Sequence, residues 1–115
     1  MISFANSKIW LYRKPIDFRK QIDGLVLLLS DQIEQDPTSG QLFIFRSRKG
    51  DRIKMLFWDR NGFWLMYKRL ERGRFKFPNI QDKQGEISLD QLNWLLSGLT
   101  INHQSIPEVN ASHFY

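Results

Sequence analysis

Residues 52–69 read RIKMLFWDRNGFWLMYKR. Two β-prone runs, Arg52–Trp58 and Phe63–Leu70, flank Asp59-Arg60-Asn61-Gly62, a turn signal. Either a four-residue loop over 59–62 or a two-residue Asn61-Gly62 turn pairs positions whose numbers have an odd sum. Cross-strand partners share a face. One face therefore carries Ile53, Met55, Phe57, Trp64 and Met66, with Lys68 at its end. The other carries Arg52, Lys54, Leu56, Trp58, Phe63, Leu65, Tyr67 and Arg69. The first face reads as core. The second divides into an apolar turn end and a far end of Arg52, Lys54, Tyr67 and Arg69.

Upstream, Leu42–Arg46 reads as a third strand and Ser47–Asp51 as a hairpin loop. Before it, Asp17 can cap a helix with apolar positions Phe18, Ile22, Leu25, Val26, Leu29 and Ile33. Spacings of three and four make one stripe, which predicts a long helix from about Phe18 to Gln35 as the cover of the core face. Asp36-Pro37-Thr38-Ser39-Gly40 is a turn, and Ile9-Trp10-Leu11-Tyr12 a short β-prone segment. Downstream, Ser88-Leu89-Asp90-Gln91 is a capping box that opens a helix with Leu89, Leu92, Leu95, Leu96 and Leu99. The expected architecture is α+β: a small antiparallel β-meander packed by one long N-terminal helix, with a second helix near the C-terminus. A single domain would span residues 1–102, and residues 103–115 would form a loose tail.

The charge is local. Residues 46–76 hold 11 of the 17 Lys and Arg residues against Asp51, Asp59 and Glu71. Residues 1–45 are balanced, and residues 77–115 are net acidic. Phe57, Trp58, Phe63, Trp64, Tyr67, Phe75 and Phe77 interleave with the bases. Clustered bases among aromatics suit a polyanion with flat bases, which points to nucleic acid. The densest part is Lys68-Arg69-Leu70-Glu71-Arg72-Gly73-Arg74-Phe75. Guanidinium groups grip phosphate bidentately or stack on bases, and Gly73 permits a sharp turn between two of them. Arg72 and Arg74 are the first candidate phosphate contacts, followed by Arg52, Lys54, Lys68 and Arg69; Tyr67 can stack or orient them. A rival surface is the apolar set Leu56, Trp58, Phe63 and Leu65, which would dock a protein partner if left uncovered.

Other chemistry finds little support. Absence of cysteine excludes disulfides, thiol catalysis and Cys-based zinc sites. Only His103 and His113 are available as histidines, both in the polar C-terminal region. Asp23, Asp51, Asp59 and Glu71 would have to converge to hold a nuclease Mg²⁺, yet Asp51 and Asp59 read as turn residues and Glu71 as an Arg partner. No phosphate-binding glycine loop is present, and no cofactor or metal is expected. The longest apolar run, Leu25–Leu29, is far short of the ~18 residues of a membrane span. These features lead to the expectation of a cytoplasmic, non-membrane protein.

Several segments resemble, in order, the TnpB-type accessory proteins of insertion-sequence-66 elements. They are Asp17-Phe18-Arg19-Lys20 with Asp23-Gly24-Leu25, Asp36-Pro37 with Ser39-Gly40 and Leu42–Phe45, and Gly50–Lys54 with Trp58-Asp59. The longest is Tyr67-Lys68-Arg69-Leu70-Glu71-Arg72-Gly73-Arg74-Phe75. The resemblance covers about residues 9–100; Gln21 and Thr38 depart from the usual pattern without touching the basic motif. It implies a non-enzymatic helper of bacterial DNA transposition that works with a separate transposase and other element-encoded proteins, and it carries over no catalytic residues. DNA bound through its phosphate backbone is the expected partner. The alternative is an adaptor docked on the transposase or another accessory subunit.

Overall fold

The computed structural model describes residue 4, residues 6–79 and residues 85–98. Along the chain come β1 (Ile9–Leu11), α1 (Ile22–Leu27), a π-helical continuation (Leu28–Ile33), β2 (Leu42–Arg46), β3 (Arg52–Asp59), β4 (Gly62–Arg69), β5 (Glu86–Ile87) and α2 (Leu89–Ser97). The strands form one sheet in the order β4-β3-β2-β1-β5. The tail expected beyond residue 102 lies outside the described residues, as do both histidines.

The β3–β4 hairpin has the faces that parity gives and the register of the 59–62 loop reading, from Arg52↔Arg69 to Asp59↔Gly62. Its turn is Arg60-Asn61, one residue earlier than Asn61-Gly62, with Arg60 at φ 56°. β2 joins β3 antiparallel, through Phe43↔Leu56 to Arg46↔Ile53.

Two expectations change. First, the sheet is mixed: β1 pairs with β2 in parallel, Ile9↔Leu42 to Leu11↔Ile44. Parallel neighbours need a crossover, and the helical segment between them supplies it. Second, that helix is not long. Asp17 does not cap it, because its carboxylate accepts instead from the Arg19 backbone (2.9 Å) and guanidinium. Helix begins at Ile22, after a Gln21 cap with no side-chain hydrogen bond. From Leu28 the winding loosens to a π-helix, and Glu34 ends it in the left-handed region at φ 58°. The wider turn brings the consecutive Leu28 and Leu29 against the sheet along with Leu25.

The helices take opposite faces. Ile9, Leu11, Leu42, Ile44, Ile53, Met55 and Phe57 pack with Leu92 and Leu95 of α2 and with Phe75. Trp10, Phe43, Phe45 and Leu56 pack with Leu25, Leu28 and Leu29. The first helix thus covers the Leu56 face, not the Ile53 face that the sequence reading assigned to it; α2 covers the latter. Uninterrupted apolar runs in β1 and β2 reflect this double cover, since a strand buried on both faces has no polar side. α2 starts on the expected box: Ser88 Oγ accepts from Gln91 N–H at 3.1 Å, and Gln91 Oε1 accepts from Ser88 N–H at 2.8 Å. Just before β5, Gly85 (φ +90°) accepts from Leu11 N–H at 2.8 Å, where any Cβ would collide with the Leu11 carbonyl.

Candidate nucleic-acid interface

Two loops meet at the open end of the β3–β4 hairpin. The β2–β3 loop is closed by its own polar groups: Ser47 N–H donates to Arg52 O, Gly50 N–H to Ser47 O, and Arg52 N–H to Ser47 Oγ. Ser47 Oγ also donates to the Asp51 carboxylate at 3.2 Å, which makes Asp51 a turn residue as its sequence context suggests. The chain leaving β4 then folds across this loop. Leu70 N–H donates to Asp51 O and Phe75 N–H to Gly50 O, both at 2.8 Å. Between these ties Gly73 turns the backbone at φ +75°, and Phe75 is buried in the α2-side core. Arg72 and Arg74 are therefore exposed side chains on a short turn fixed at both ends.

The junction sets Arg48 and Lys49 of one loop beside Arg72, Arg74 and Lys76 of the other, all exposed. Arg52 and Arg69 face each other across the adjoining strand pair. Seven bases thus gather against Asp51 and Glu71. Arg69 is partly occupied, its Nε 3.0 Å from Glu71, and that carboxylate raises the Arg69 pKa. Arg52 lies a loose 4.0 Å from Asp51. Such crowding of exposed cations is a field that a polyanion would relieve.

Other bases of the run leave this surface. Lys54, a predicted phosphate contact, is only 1% exposed. Its ammonium donates to the backbone carbonyls of Phe18 (2.8 Å) and Lys20 (2.6 Å) and lies 5.1 and 5.7 Å from the Phe18 and Tyr67 ring centroids. Burial pushes its pKa down, while the Asp17 charge nearby opposes the shift. Lys54 cannot reach a phosphate; it ties the segment before α1 to the sheet. Lys68, also predicted, lies on the α2 face and donates to Leu96 O at 2.7 Å, at the end of that helix. Arg46 stacks on Phe77 at 4.9 Å, and Arg60 sits in the distant hairpin turn.

Tyr67 remains half exposed on the Arg52 and Arg69 face, its ring edge-on to Phe18 at 6.1 Å. Sequence reasoning missed Arg19, whose side chain is 91% exposed beside the β2–β3 loop; the Asp17–Lys20 motif was its only signal. Arg19 grips Asp17 and holds that carboxyl well below the usual carboxylate range, so the pair stays charged throughout neutral and mildly acidic pH.

The candidate docking patch is partly covered. Leu56 is fully buried, and Phe63 and Leu65 are half-buried against the core beneath the first helix. Trp58 meets Phe63 edge to face at 5.0 Å and is half-buried. Among the described residues no three of His, Cys, Asp and Glu group to hold a metal, and no helix is long and apolar enough to cross a membrane.

Comparison with known proteins gives one consistent result. Residues 7–105 match the family described as IS66 Orf2 like protein. Two relatives from Sinorhizobium fredii, the uncharacterized proteins y4jC and y4hO, are each 36% identical. The y4jC match spans 80% of this chain and 79% of the relative; the y4hO match spans 88% of each. No solved structure matches the chain.

Proposed function

The chain belongs to the IS66 Orf2-like family, and we propose that it serves transposition as a non-catalytic DNA-binding accessory acting beside a separate transposase in the bacterial cytoplasm. The observation that carries this reading is the tie between the two loops. Backbone hydrogen bonds from Leu70 and Phe75 to Asp51 and Gly50 hold two basic segments side by side. Arg48, Lys49, Arg52, Arg72 and Arg74 are the phosphate contacts, and Arg69 is reserved in part by Glu71. A non-catalytic role agrees with the local engagement of the nearest carboxylates, Asp51 by Ser47 and Glu71 by Arg69. The adaptor alternative keeps less surface than its four residues suggest, because Leu56 is core with Phe63 and Leu65 partly buried against it, while Trp58 lies outside that cluster.

Salt tests the proposal. Five neutralised phosphates give a slope of log affinity on log salt of about −4.5 on duplex or about −3.5 on single strands. Either slope is a loss of at least about a hundredfold between ~50 and ~200 mM. An affinity insensitive to salt, or no binding at low salt, contradicts it.

A further inference from the structure

Beside the basic junction runs a cleft of about 420 Å³. Ile16, Asp17, Phe18 and Arg19 form one wall, and the β2–β3 loop, residues 47–52, forms the other. Both walls are fixed to the sheet. Ile16 N–H donates to Arg46 O at 3.1 Å, and Lys54 holds the Phe18 and Lys20 carbonyls from below. The opposite loop is closed by Ser47 and held from outside by Phe75 N–H on Gly50 O. The cleft is preformed, and no side of it waits for a ligand to arrange it.

Its chemistry is mixed in a particular way. Arg48, Lys49 and Arg52 supply three cations; Arg19 adds a fourth that is already paired with Asp17 through Nε and Nη2, and the Asp51 carboxylate accepts from Ser47 Oγ. A net positive cleft with Ile16 and Phe18 as apolar groups on one wall suits a sugar–phosphate backbone. Next to Phe18 and outside the cleft's lining, the Tyr67 ring is half exposed; the Lys54 ammonium lies over one face, which leaves the other for a base to stack on. Reading a duplex through its major groove calls for a projecting helix or β-ribbon, and these walls are loops.

We propose that the cleft between residues 16–19 and 47–52 holds a single unpaired DNA strand, its phosphates on Arg19, Arg48, Lys49 and Arg52 and a base on Tyr67. This proposal rests on the DNA-binding reading above and narrows it. Grooves that track one backbone beside aromatic platforms are the general solution to single-strand binding, and one base–aromatic stack contributes about tenfold or more in affinity. Arg19 thereby acquires a role that the basic run did not include, and Lys54 positions the wall that carries it.

Fluorescence anisotropy on a labelled oligothymidylate and on a mixed-sequence duplex of equal length, at one low salt concentration, tests it. The intact chain should favour the single strand by about tenfold or more. Tyr67→Ala should weaken single-strand binding by about tenfold and leave duplex binding unchanged, while Tyr67→Phe keeps the wild-type preference. The pair Asp17→Asn with Arg19→Ala preserves net charge, and its side chains are exposed enough to leave the fold intact; it too should weaken the single strand selectively. Equal affinity of the intact chain for both forms, or variants that lower both alike, would overturn the cleft while leaving DNA binding in place. No binding to either form overturns both.

Discussion

The two ends of the β3–β4 ribbon differ in what covers them, although one face runs through both. Toward the turn, Leu56 is wholly buried under the first helix, with Phe63 and Leu65 packed around it. Toward the open end, Arg52 and Arg69 stand beside an exposed loop junction. Lys54 marks the boundary. It lies on the same strand face as Arg52, two residues away, yet it is buried where Arg52 is half exposed. The segment crossing above Lys54 offers two carbonyls to its ammonium, whereas the Arg52 guanidinium has among the described residues only a loose Asp51 contact at 4.0 Å. Position along a strand, more than residue type, separates a buried structural cation from an exposed one.

The covered end should respond most strongly to mutation. Leu56→Ala should cost about 3 kcal/mol of folding stability in chemical denaturation, through lost burial and the cavity left behind. A near-neutral result would mean that the face is open and would restore a docking patch there.

Next in size is the boundary. Lys54→Met keeps most of the aliphatic bulk but leaves the Phe18 and Lys20 carbonyls without their donor. The expected loss is about 2 kcal/mol, since an acceptor stripped of its partner costs more than a hydrogen bond contributes. Arg52→Met should leave the unfolding midpoint almost unchanged, because loose surface pairs contribute little. Equal losses at the two positions would erase the distinction between them.

The hairpin faces were legible because antiparallel partners have a constant sum and both readings of the turn signal make that sum odd; which of the two registers forms, the one from Arg52↔Arg69 to Asp59↔Gly62, was not. The α2 start was legible because Ser88 and Gln91 satisfy each other locally. Which helix covers which face was not legible from the hairpin, since parity labels faces without assigning their partners. The unbroken apolar runs Ile9–Leu11 and Leu42–Phe45 carried the missing signal, that both faces are covered at the sheet centre. Asp17 misled because an Asp can serve a cap or a nearby Arg equally well in sequence, and here Arg19 takes it. The loosened turn after Leu27 left no mark in a stripe spaced by threes and fours. For the candidate interface, Arg52, Arg69, Arg72, Arg74 and Tyr67 were legible as a surface, whereas the fates of Lys54 and Lys68 depended on carbonyls 34 to 36 and 28 residues away in sequence.

We read the two loops joined through Gly50 and Phe75 as the DNA-contacting surface. The salt dependence of DNA affinity in Arg72→Ala/Arg74→Ala, set against the intact chain, tests it most directly. Both side chains are exposed on a turn whose backbone ties do not involve them, so the unfolding midpoint should not move. Affinity should fall, and the slope of log affinity on log salt should shrink by about two on duplex, or about 1.5 on a single strand. The fall should be similar on unrelated DNA sequences, because phosphate contacts position a protein without reading bases. A folded double variant with unchanged affinity and slope would contradict the account.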